Sequence, residues 1–302
     1  MSLPRLALGT AQLGFAYGTA IRREKPPRPR AVALVRAALE RGVRCIDTAP
    51  AYGDAEAIVG EALAAAGTSG VHLCSKLPAL PAGLDAEATA RHVEAAVDAS
   101  RRALRVDRID TYLLHAAGDL RAGAPLLDAL QRCREAGRVE CLGVSVYDPA
   151  ELDAALVHGG LGAVQFPFHA FDARMVRAGT VERARARGWT CFARSALLQG
   201  LFALAPEELP PWLSEAGSWL AAFRDLAREH GIAPLPAALG YAAAGCGAHW
   251  LVLGLDAPAQ LDQALTSQVS ELPAAFLSAV DARFAAVPRA VADPRSWEVR
   301  AA

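Results

Sequence analysis

The chain contains 302 residues, of which 53% are hydrophobic and 21% are charged, so it is long enough to bury a sizeable core. Lys and Arg number 31 and Asp and Glu number 32, a balance that lacks the concentrated positive charge of nucleic-acid or membrane-surface proteins. No apolar run approaches the ~20 residues that cross a bilayer, and the N-terminal sequence MSLPRLALGTAQLG lacks the features of a signal peptide. We therefore expect a cytoplasmic protein that acts on a small molecule, with no nucleic-acid or membrane partner.

The cysteines give no sign of a disulfide framework or a metal site. There is no C-x-x-C pair and no histidine cluster near the six cysteines, which are Cys45, Cys74, Cys133, Cys141, Cys191 and Cys246. Several of them lie in apolar segments, where a free thiol behaves as a small hydrophobic side chain. We expect free thiols, a reducing compartment and no bound metal.

Short apolar runs typical of β-strands alternate with helical patterns from the N-terminus onward. Residues 5–9 are predicted as the first strand, and the helix predicted over 31–42 has Val32, Val35 and Leu39 on one face. The later predicted strands are at residues 44–47, 71–76, 107–115, 140–145, 163–166, 189–195 and 249–255. The later predicted helices are at residues 54–67, 85–104, 125–137, 149–160, 173–188, 234–245 and 258–267.

Eight strand-then-helix units in one chain favour an α/β fold built as a closed (β/α)8 TIM barrel. Alternating strands and helices with short connections imply parallel strands and right-handed crossovers. An open doubly wound sheet is the alternative, but the segment after the first strand, LGTAQLGFAYG, lacks the G-x-G-x-x-G spacing of many such sheets. We expect a single domain over residues 1–302, with a loop insertion after strand seven at about 197–233 and a C-terminal extension from about 268, both at the barrel mouth.

Polar side chains follow three consecutive predicted strands: Asp47 follows the second, Lys76 the third and His115 the fourth. In a parallel barrel these strand ends lie side by side, at the rim where the chemistry takes place. Tyr52 comes five residues after Asp47, in the loop TAPAYG, and can reach the same point. Lys76 is one of only two lysines in the chain. Because a buried ammonium needs a counter-charge, Asp47 is its natural partner.

Taken singly, these residues have ordinary structural explanations, since an aspartate can cap a turn, a tyrosine can close a loop and a histidine can lie in the core. Four of them at successive strand ends are better explained as a site. A tyrosine hydroxyl, with an ordinary pKa of about 10, is a poor acid at neutral pH unless a cation stabilises the phenolate. Lys76 would supply that cation and His115 would orient a carbonyl group, so that Tyr52 could donate a proton during carbonyl reduction.

The ordered motifs of the chain resemble the aldo-keto reductase superfamily over essentially the full length. They are GTAQLG at 9–14, IDTAPAYGDAEAIVGEAL at 46–63, SK at 75–76, YLLH at 112–115, LGVSVY at 142–147, VQFPFHAFD at 164–172 and RSALLQGLF at 194–202. The resemblance implies that Asp47, Tyr52, Lys76 and His115 form the family's catalytic tetrad. It also implies an oxidoreductase that interconverts a carbonyl and an alcohol, with NADPH or NADH as its cofactor.

The same resemblance implies that the dinucleotide lies extended across the barrel mouth. Ser145 and Gln165 would hydrogen-bond the nicotinamide carboxamide. Contacts with the pyrophosphate and the adenosine end would come from Ser195, Leu197, Gln199, Gly200, Gly254, Asp256 and Gln260. Without the resemblance, Ser145 and Gln165 could equally be ordinary polar residues at strand ends.

Two positions depart from the family pattern. After strand eight the sequence LGLDAPAQLDQAL has Asp256 and no basic residue to hold an adenosine 2′-phosphate. A carboxylate repels a phosphate and can accept a hydrogen bond from a free 2′-hydroxyl, which argues against NADP, although a basic side chain such as Arg194 could compensate. The asparagine that usually follows the carboxamide-binding serine is Val146 here, so one cofactor contact could be missing.

Aromatic residues and a histidine are expected around the substrate. They come from the loops after strands one and six and from the insertion, and are Phe15, Tyr17, Phe168, His169, Phe171 and Trp212. The phenylalanines could equally be packing residues. Such a wall suits a hydroxylated aldehyde, a sugar or a ketone. No arginine cluster follows strands one to four, so a strongly anionic substrate is not expected.

Three other functions stay open at this point. A Schiff-base aldolase or decarboxylase would use Lys76 as its nucleophile, but it needs a lysine of depressed pKa, whereas Asp47 would stabilise the ammonium. A barrel that binds a nucleotide without catalysis is the second alternative. A redox-neutral epimerase or lyase, which oxidises its substrate transiently, is the third because it needs the same geometry for hydride transfer. The sequence indicates neither the oligomeric state nor the physiological direction.

Overall fold

The computed structural model describes residues 5–18, 24–269 and 272–297, apart from the side chains of 267–269. Eight parallel strands form one sheet, which closes where the last strand pairs with the first. The strands are β1 (Arg5–Gly9), β2 (Cys45–Asp47), β3 (His72–Leu77), β4 (Ile109–Leu114), β5 (Val139–Ser145), β6 (Leu161–Pro167), β7 (Thr190–Arg194) and β8 (Trp250–Gly254). The predicted (β/α)8 barrel is confirmed. The single domain predicted over 1–302 includes residues outside the described ranges, and that extent stays a prediction.

Helices connect the strands and pack around the outside of the barrel. They are α1 (Ala11–Gly14), α2 (Arg28–Glu40), α3 (Ala55–Ala66), α4 (Ala86–Leu104), α5 (Ala124–Glu135), α6 (Pro149–Leu156), α7 (Arg174–Arg177), α8 (Thr180–Ala186), α9 (Ala216–Glu229), α10 (Pro234–Gly245), α11 (Pro258–Val269), α12 (Ala274–Arg283) and α13 (Arg289–Ala292). Within the described ranges, no helix combines the length and the apolar character needed to span a membrane.

Three segments differ from their predicted form. The helix predicted over 173–188 is divided into α7 and α8, because Gly179 between them has a positive φ of 67° and interrupts the helical backbone. The insertion at 197–233 is more than a loop, since it contains α9, whose Leu220 and Phe223 are buried against the core. The segment after β1, expected to be a loop, begins with the short helix α1.

The interior of the barrel is filled by small and aromatic side chains, with every strand contributing. Because side chains alternate between the two faces of a strand, one residue in two points into the barrel. A separate apolar cluster formed only by strand residues marks this interior: Ala7, Cys45, Cys74, Leu113, Cys141, Ala163, Phe192, Trp250 and Val252. The larger apolar cluster lies between the strands and the helices. The next inward position, two residues further on in seven of the strands and four residues beyond Cys141 in β5, therefore lies at the C-terminal mouth.

Gly60 of α3 lies against α4 at a point with no room for a side chain, since a Cβ atom there would overlap the carbonyl oxygen of Ala103. We expect Gly60→Ala to lower the free energy of unfolding by about 1–3 kcal/mol, because two packed helices must separate to admit the methyl group. Urea denaturation followed by circular dichroism measures this change. The control is Gly159→Ala, at an exposed glycine with open space around it, and we expect a change below about 0.5 kcal/mol. Equal unfolding midpoints for the two variants would contradict the close helix contact.

Candidate active site

The uppermost inward positions of the eight strands form a ring at the C-terminal end of the barrel. Seven of them, including His115 directly after β4, lie two residues beyond their strand's last member of the interior cluster, and the eighth, Ser145, lies four residues beyond Cys141. The ring consists of Gly9, Asp47, Lys76, His115, Ser145, Gln165, Arg194 and Gly254. Lys76, expected at the end of its strand, is the penultimate residue of β3. The apolar interior of the barrel is thus followed, one layer of side chains higher, by a ring of positions that carry most of the polar groups.

Asp47 and Lys76 form a buried ion pair at the centre of this ring. The Lys76 Nζ donates to Asp47 Oδ1 at 2.7 Å and to the carbonyl oxygen of Thr48 at 3.0 Å. The same carboxylate oxygen accepts the Gln165 Nε2 at 2.6 Å. Burial by itself lowers the pKa of Lys76, but the charge of Asp47 and its hydrogen bond outweigh that effect and raise the pKa above its ordinary value. Lys76 is therefore a permanent ammonium group, wholly removed from water.

Tyr52 ends a short 3₁₀ turn, Pro50–Tyr52, that packs against α1. A side chain at Gly14 would overlap the Tyr52 carbonyl, and Gly53 has a φ of 62° and would overlap Gly14 in turn. The two glycines thus allow the backbone contact that fixes the position of Tyr52. The Lys76 Nζ lies 4.9 Å from the centre of the Tyr52 ring. Burial raises the pKa of Tyr52, and the positive charge of Lys76 opposes that rise.

His115 meets the Tyr52 ring edge-on, with the ring centres 5.8 Å apart. Burial, and then the positive charge of Lys76, lowers the pKa of His115 to about 4. The imidazole is therefore neutral at physiological pH and can donate one N–H to a polar group in front of it. Tyr52, Lys76 and His115 together offer one proton donor, one fixed positive charge and one neutral hydrogen-bond donor.

A cavity of about 410 Å³ opens above this group. Asp47, Tyr52 and His115 line one part of it, whereas Lys76 lies beneath its floor. The cavity is also lined by all nine residues that the resemblance assigned to the cofactor: Ser145, Gln165, Ser195, Leu197, Gln199, Gly200, Gly254, Asp256 and Gln260. No group of three or more His, Cys, Asp and Glu side chains that could hold a metal is found in the described part of the chain.

The loop after β7 carries an unusual concentration of backbone strain. The described residues include four non-glycine positions of positive φ, and three of them, Ser195, Leu198 and Gln199, lie in this loop. Such conformations cost of order 1 kcal/mol or more each, persist where the surrounding structure over-determines the backbone, and are concentrated at binding and active sites. Ser195 and Gln199 of this loop line the cavity together with Ser145 and Gln165.

Asp256 lies at the opposite part of the cavity wall, near the start of α11. Its backbone N–H donates to the Gln260 Oε1 at 2.7 Å. No lysine or arginine of the described residues lines the cavity on β8 or α11, because Arg194 is the only such side chain around it. Among the described residues, the charged side chain that the segment from β8 to α11 contributes to the cavity lining is that of Asp256.

The structure corrects part of the expected substrate wall. Tyr17 lines the cavity, whereas Phe15, 37% exposed, is not part of the lining, although its ring centre lies 6.4 Å from that of Tyr52. Phe168 instead lies in the core, stacked on Tyr241 at 5.5 Å. Trp212 packs against Trp297 and does not line the cavity. These two rings gain more from apolar packing with α10 and the C-terminal segment than from facing a wet cavity.

Two further residues of the expected wall also lie elsewhere. Phe171 is buried, with its ring centre 4.8 Å from that of Phe202. His169 is wholly buried and lines a smaller side cavity beside the main one. Sequence reasoning considered Arg194 only as a substitute phosphate ligand and did not consider Tyr147, although both line the main cavity. The signal for Arg194 was present, because it comes two residues after the inward-facing Phe192.

Comparisons with known proteins agree with this architecture. The model of the aldo/keto reductase family matches residues 5–283, and the chain belongs to that family. It is 29% identical to the aldo-keto reductase YhdN of Bacillus subtilis over 178 residues, which are 57% of this chain and 52% of that protein. It is 34% identical to the methylglyoxal reductase YeaE of Escherichia coli over 154 residues, 50% of this chain and 49% of that protein. The matches thus span about half the length of these curated relatives.

The fold is also similar to that of a solved aldo-keto reductase from Bacillus halodurans. The two structures superpose with a TM-score of 0.74, covering 97% of this chain and 96% of that chain at 19% identity. At that identity the likeness concerns the fold alone.

Removing one member of the buried ion pair should be more harmful than removing both. We expect Asp47→Asn to lower the free energy of unfolding by about 3–5 kcal/mol, because Lys76 is left buried without a counter-charge. Combining it with Lys76→Met should recover a large part of that loss, since no charge then stays buried. Denaturant titration of the single and double variants measures both effects. The control is Asp153→Asn, which breaks an exposed ion pair with Arg183 and should cost less than about 1 kcal/mol.

A double variant no more stable than Asp47→Asn would show that the buried charge is not the cause of the loss.

Proposed function

We propose that this protein is an oxidoreductase that reduces an aldehyde or ketone to an alcohol with NADH or NADPH, or catalyses the reverse reaction. The strongest support for this proposal is the position of Tyr52. Its side chain lines the cavity, and both Lys76 and His115 lie beside its ring. Membership of the aldo/keto reductase family supports this function. The name of the methylglyoxal reductase among its relatives supports a small carbonyl substrate.

The chemistry follows from the protonation states of the cluster. A bound nicotinamide dinucleotide would supply the hydride that reduces the carbonyl carbon. Tyr52 donates its phenolic proton to the carbonyl oxygen at the same stage, so the product is an alcohol and the phenol becomes a phenolate. Lys76 stabilises that phenolate, and Asp47 keeps Lys76 protonated. Solvent then returns a proton to Tyr52.

His115 has a separate task in this scheme. Because its pKa is lowered to about 4, it stays neutral and acts through a hydrogen bond rather than by giving up a proton of its own. Its N–H can polarise the carbonyl oxygen while Tyr52 protonates it, and a preorganised donor of this kind lowers the barrier most in a site shielded from water. A protonated histidine would instead compete with Lys76 for the negative charge of the phenolate.

The cofactor would be held by residues of the neighbouring strand ends. Ser145 and Gln165 offer the hydroxyl and amide that suit the nicotinamide carboxamide. The strained loop at 195–200 lines the cavity and suits the phosphates. Asp256 and Gln260 line the same cavity and would bind the adenosine ribose, and Val146 supplies no side-chain hydrogen bond of its own. A redox-neutral reaction with transient oxidation of the substrate would use the same residues, so it stays the alternative within this class.

The burial of Lys76 argues against the Schiff-base alternative. A nucleophilic lysine must lose its proton and reach the substrate. Lys76 is wholly buried beneath the cavity floor, and Asp47 raises its pKa rather than lowering it. Borohydride treatment in the presence of a carbonyl compound is therefore expected to leave Lys76 unmodified.

Tyr52→Phe should abolish turnover without affecting cofactor binding. We expect kcat for reduction of small aldehydes to fall by at least ~10²-fold, because the proton donor is lost. Dissociation constants for NADH and NADPH, measured by tryptophan quenching, should stay within about twofold of the wild-type values. The control is Tyr241→Phe, which removes a buried hydroxyl bound to Asp281 away from the cavity and should keep its activity. Wild-type turnover by Tyr52→Phe, or a wild-type protein that binds neither dinucleotide, would overturn the proposed function.

The charge of Asp256 should favour NADH over NADPH. We expect NADH to bind at least about tenfold more tightly, because the Asp256 carboxylate would repel an adenosine 2′-phosphate. Asp256→Ser should reduce that ratio, mainly by tightening NADPH binding. The control is Asp262→Ser, which removes an exposed carboxylate of α11 that pairs with Arg41 outside the cavity and should leave the ratio unchanged. A wild-type preference for NADPH would contradict this assignment of Asp256.

A further inference from the structure

Arg194 is the only lysine or arginine of the described residues that lines the main cavity. It ends β7 and belongs to the ring of inward positions that also contains Asp47 and His115. Burial raises the pKa of Tyr17 and of Tyr52 and lowers that of His115, and the positive charge of Arg194 opposes the two rises and adds to the fall, so Arg194 acts on the catalytic end of the cavity. The charges of Asp47 and Lys76 compensate each other, which leaves Arg194 as the unbalanced charge on this part of the wall.

Arg194 differs from the other arginines at this end of the barrel. Arg174 pairs with Asp172 at 2.7 Å, Arg295 with Asp293 at 2.6 Å, and Arg289 with Asp148 at 2.7 Å. In the described part of the chain, no carboxylate lies within 4 Å of the Arg194 guanidinium. A guanidinium has five N–H donors, and this one is not satisfied by the protein's own acids.

The contacts that Arg194 does make hold its side chain in place without neutralising it. One terminal nitrogen donates to the carbonyl oxygen of Val146 at 3.3 Å, and the other donates to the hydroxyl of Ser195 at 3.4 Å. The guanidinium carbon lies 4.1 Å from the centre of the Tyr147 ring. A guanidinium held over an aromatic face and donating only two hydrogen bonds has further N–H groups in its plane, and these can bind a carboxylate or phosphate.

A second unsatisfied group lies next to Arg194. A side cavity of about 50 Å³ shares Tyr17, Tyr147 and Arg194 with the main cavity, and its wall includes His169. His169 is wholly buried, and neither of its ring nitrogens makes a hydrogen bond of good geometry, although the backbone of Ala292 lies close to the ring. Burial lowers the pKa of His169 to about 4 against the opposing effects of Asp172 and the Ala292 backbone, so the ring is neutral and carries one N–H donor. Buried polar atoms without partners are rare, and a ligand oxygen would satisfy this one.

We propose, on the basis of the reductase function above, that Arg194 binds an anionic oxygen group of the ligand, with His169 as a neutral donor beside it. The group is a carboxylate or a phosphate, and it belongs either to the carbonyl substrate or to the dinucleotide. If the substrate carries this group, it is anionic, unlike the substrate expected from the sequence. That expectation rested only on the lack of an arginine cluster after strands one to four. Arg194 is the last residue of β7, on the far side of the ring from β2 and β3.

Matched acid and amide probes test this site without requiring turnover. We would titrate glyoxylate, 4-oxobutanoate and 4-formylbenzoate, each beside its neutral carboxamide, into enzyme saturated with NAD⁺ and measure binding by calorimetry. If the substrate supplies the anion, at least one acid should bind about tenfold or more tightly than its amide. Arg194→Gln should remove that preference, and His169→Phe should reduce it.

The cofactor arm uses the same variants. If the dinucleotide supplies the anion, Arg194→Gln should weaken NADH binding by about tenfold or more and reduce its dependence on salt, while every acid–amide ratio stays near one. The matched control for both arms is Arg295→Gln. It removes a second guanidinium stacked on Tyr147, but one that pairs with Asp293 and does not line the main cavity.

Either result supports an anion site at Arg194 and identifies the source of the anion. Unchanged acid–amide ratios together with unchanged NADH affinity in Arg194→Gln would overturn it, as would an equal effect of Arg295→Gln. Failure of the reductase function is distinguishable, since it would appear as a Tyr52→Phe variant with unaltered turnover while the binding measurements still report on Arg194.

Discussion

Closure of the sheet is the constraint on which the rest of this molecule depends. Eight parallel strands that close into a barrel leave one interior, and the alternation of side chains sends every second residue of each strand into it. The lower positions are filled by alanine, cysteine, leucine, phenylalanine and tryptophan, which need no polar partner. The last inward position of each strand borders the mouth, so a polar residue there can reach a ligand. Residues that are far apart in the sequence, such as Asp47 and Gln165, thereby become neighbours at the mouth.

The Asp47–Lys76 pair links this packing to the chemistry. An ammonium group at the top of an apolar interior is tolerable only with a hydrogen-bonded carboxylate, and the amide of Gln165 satisfies the same carboxylate oxygen. The positive charge of Lys76 favours the phenolate form of Tyr52 and disfavours the imidazolium form of His115. The same buried cation therefore supports Tyr52 as a proton donor and His115 as a neutral hydrogen-bond donor.

Local sequence patterns were sufficient to predict the barrel and the ends of its strands, because each apolar run is short and is followed by a polar residue. Asp47 and His115 could be located in this way. The location of Phe168 could not be predicted in this way, because it depends on Tyr241 of α10, which is distant in the sequence. In a sequence, an aromatic residue that follows a strand looks the same whether it lines a cavity or packs in the core. The break between α7 and α8 was locally encoded at Gly179, but a single glycine also occurs in continuous helices.

Several unusual features of the fold adjoin one another at one part of the mouth. The strained backbone at Ser195, Leu198 and Gln199 follows Arg194 directly, and the buried ring of His169 lines the side cavity that Arg194 also lines. Elsewhere at this rim, arginines and aspartates neutralise one another at 2.6–2.8 Å. Arg194 differs from these arginines because it makes hydrogen bonds and an aromatic contact but has no carboxylate partner among the described residues. A ligand that brings an anionic oxygen to this part of the mouth would supply the missing counter-charge, and the binding energy gained there could position the rest of the ligand against Tyr52.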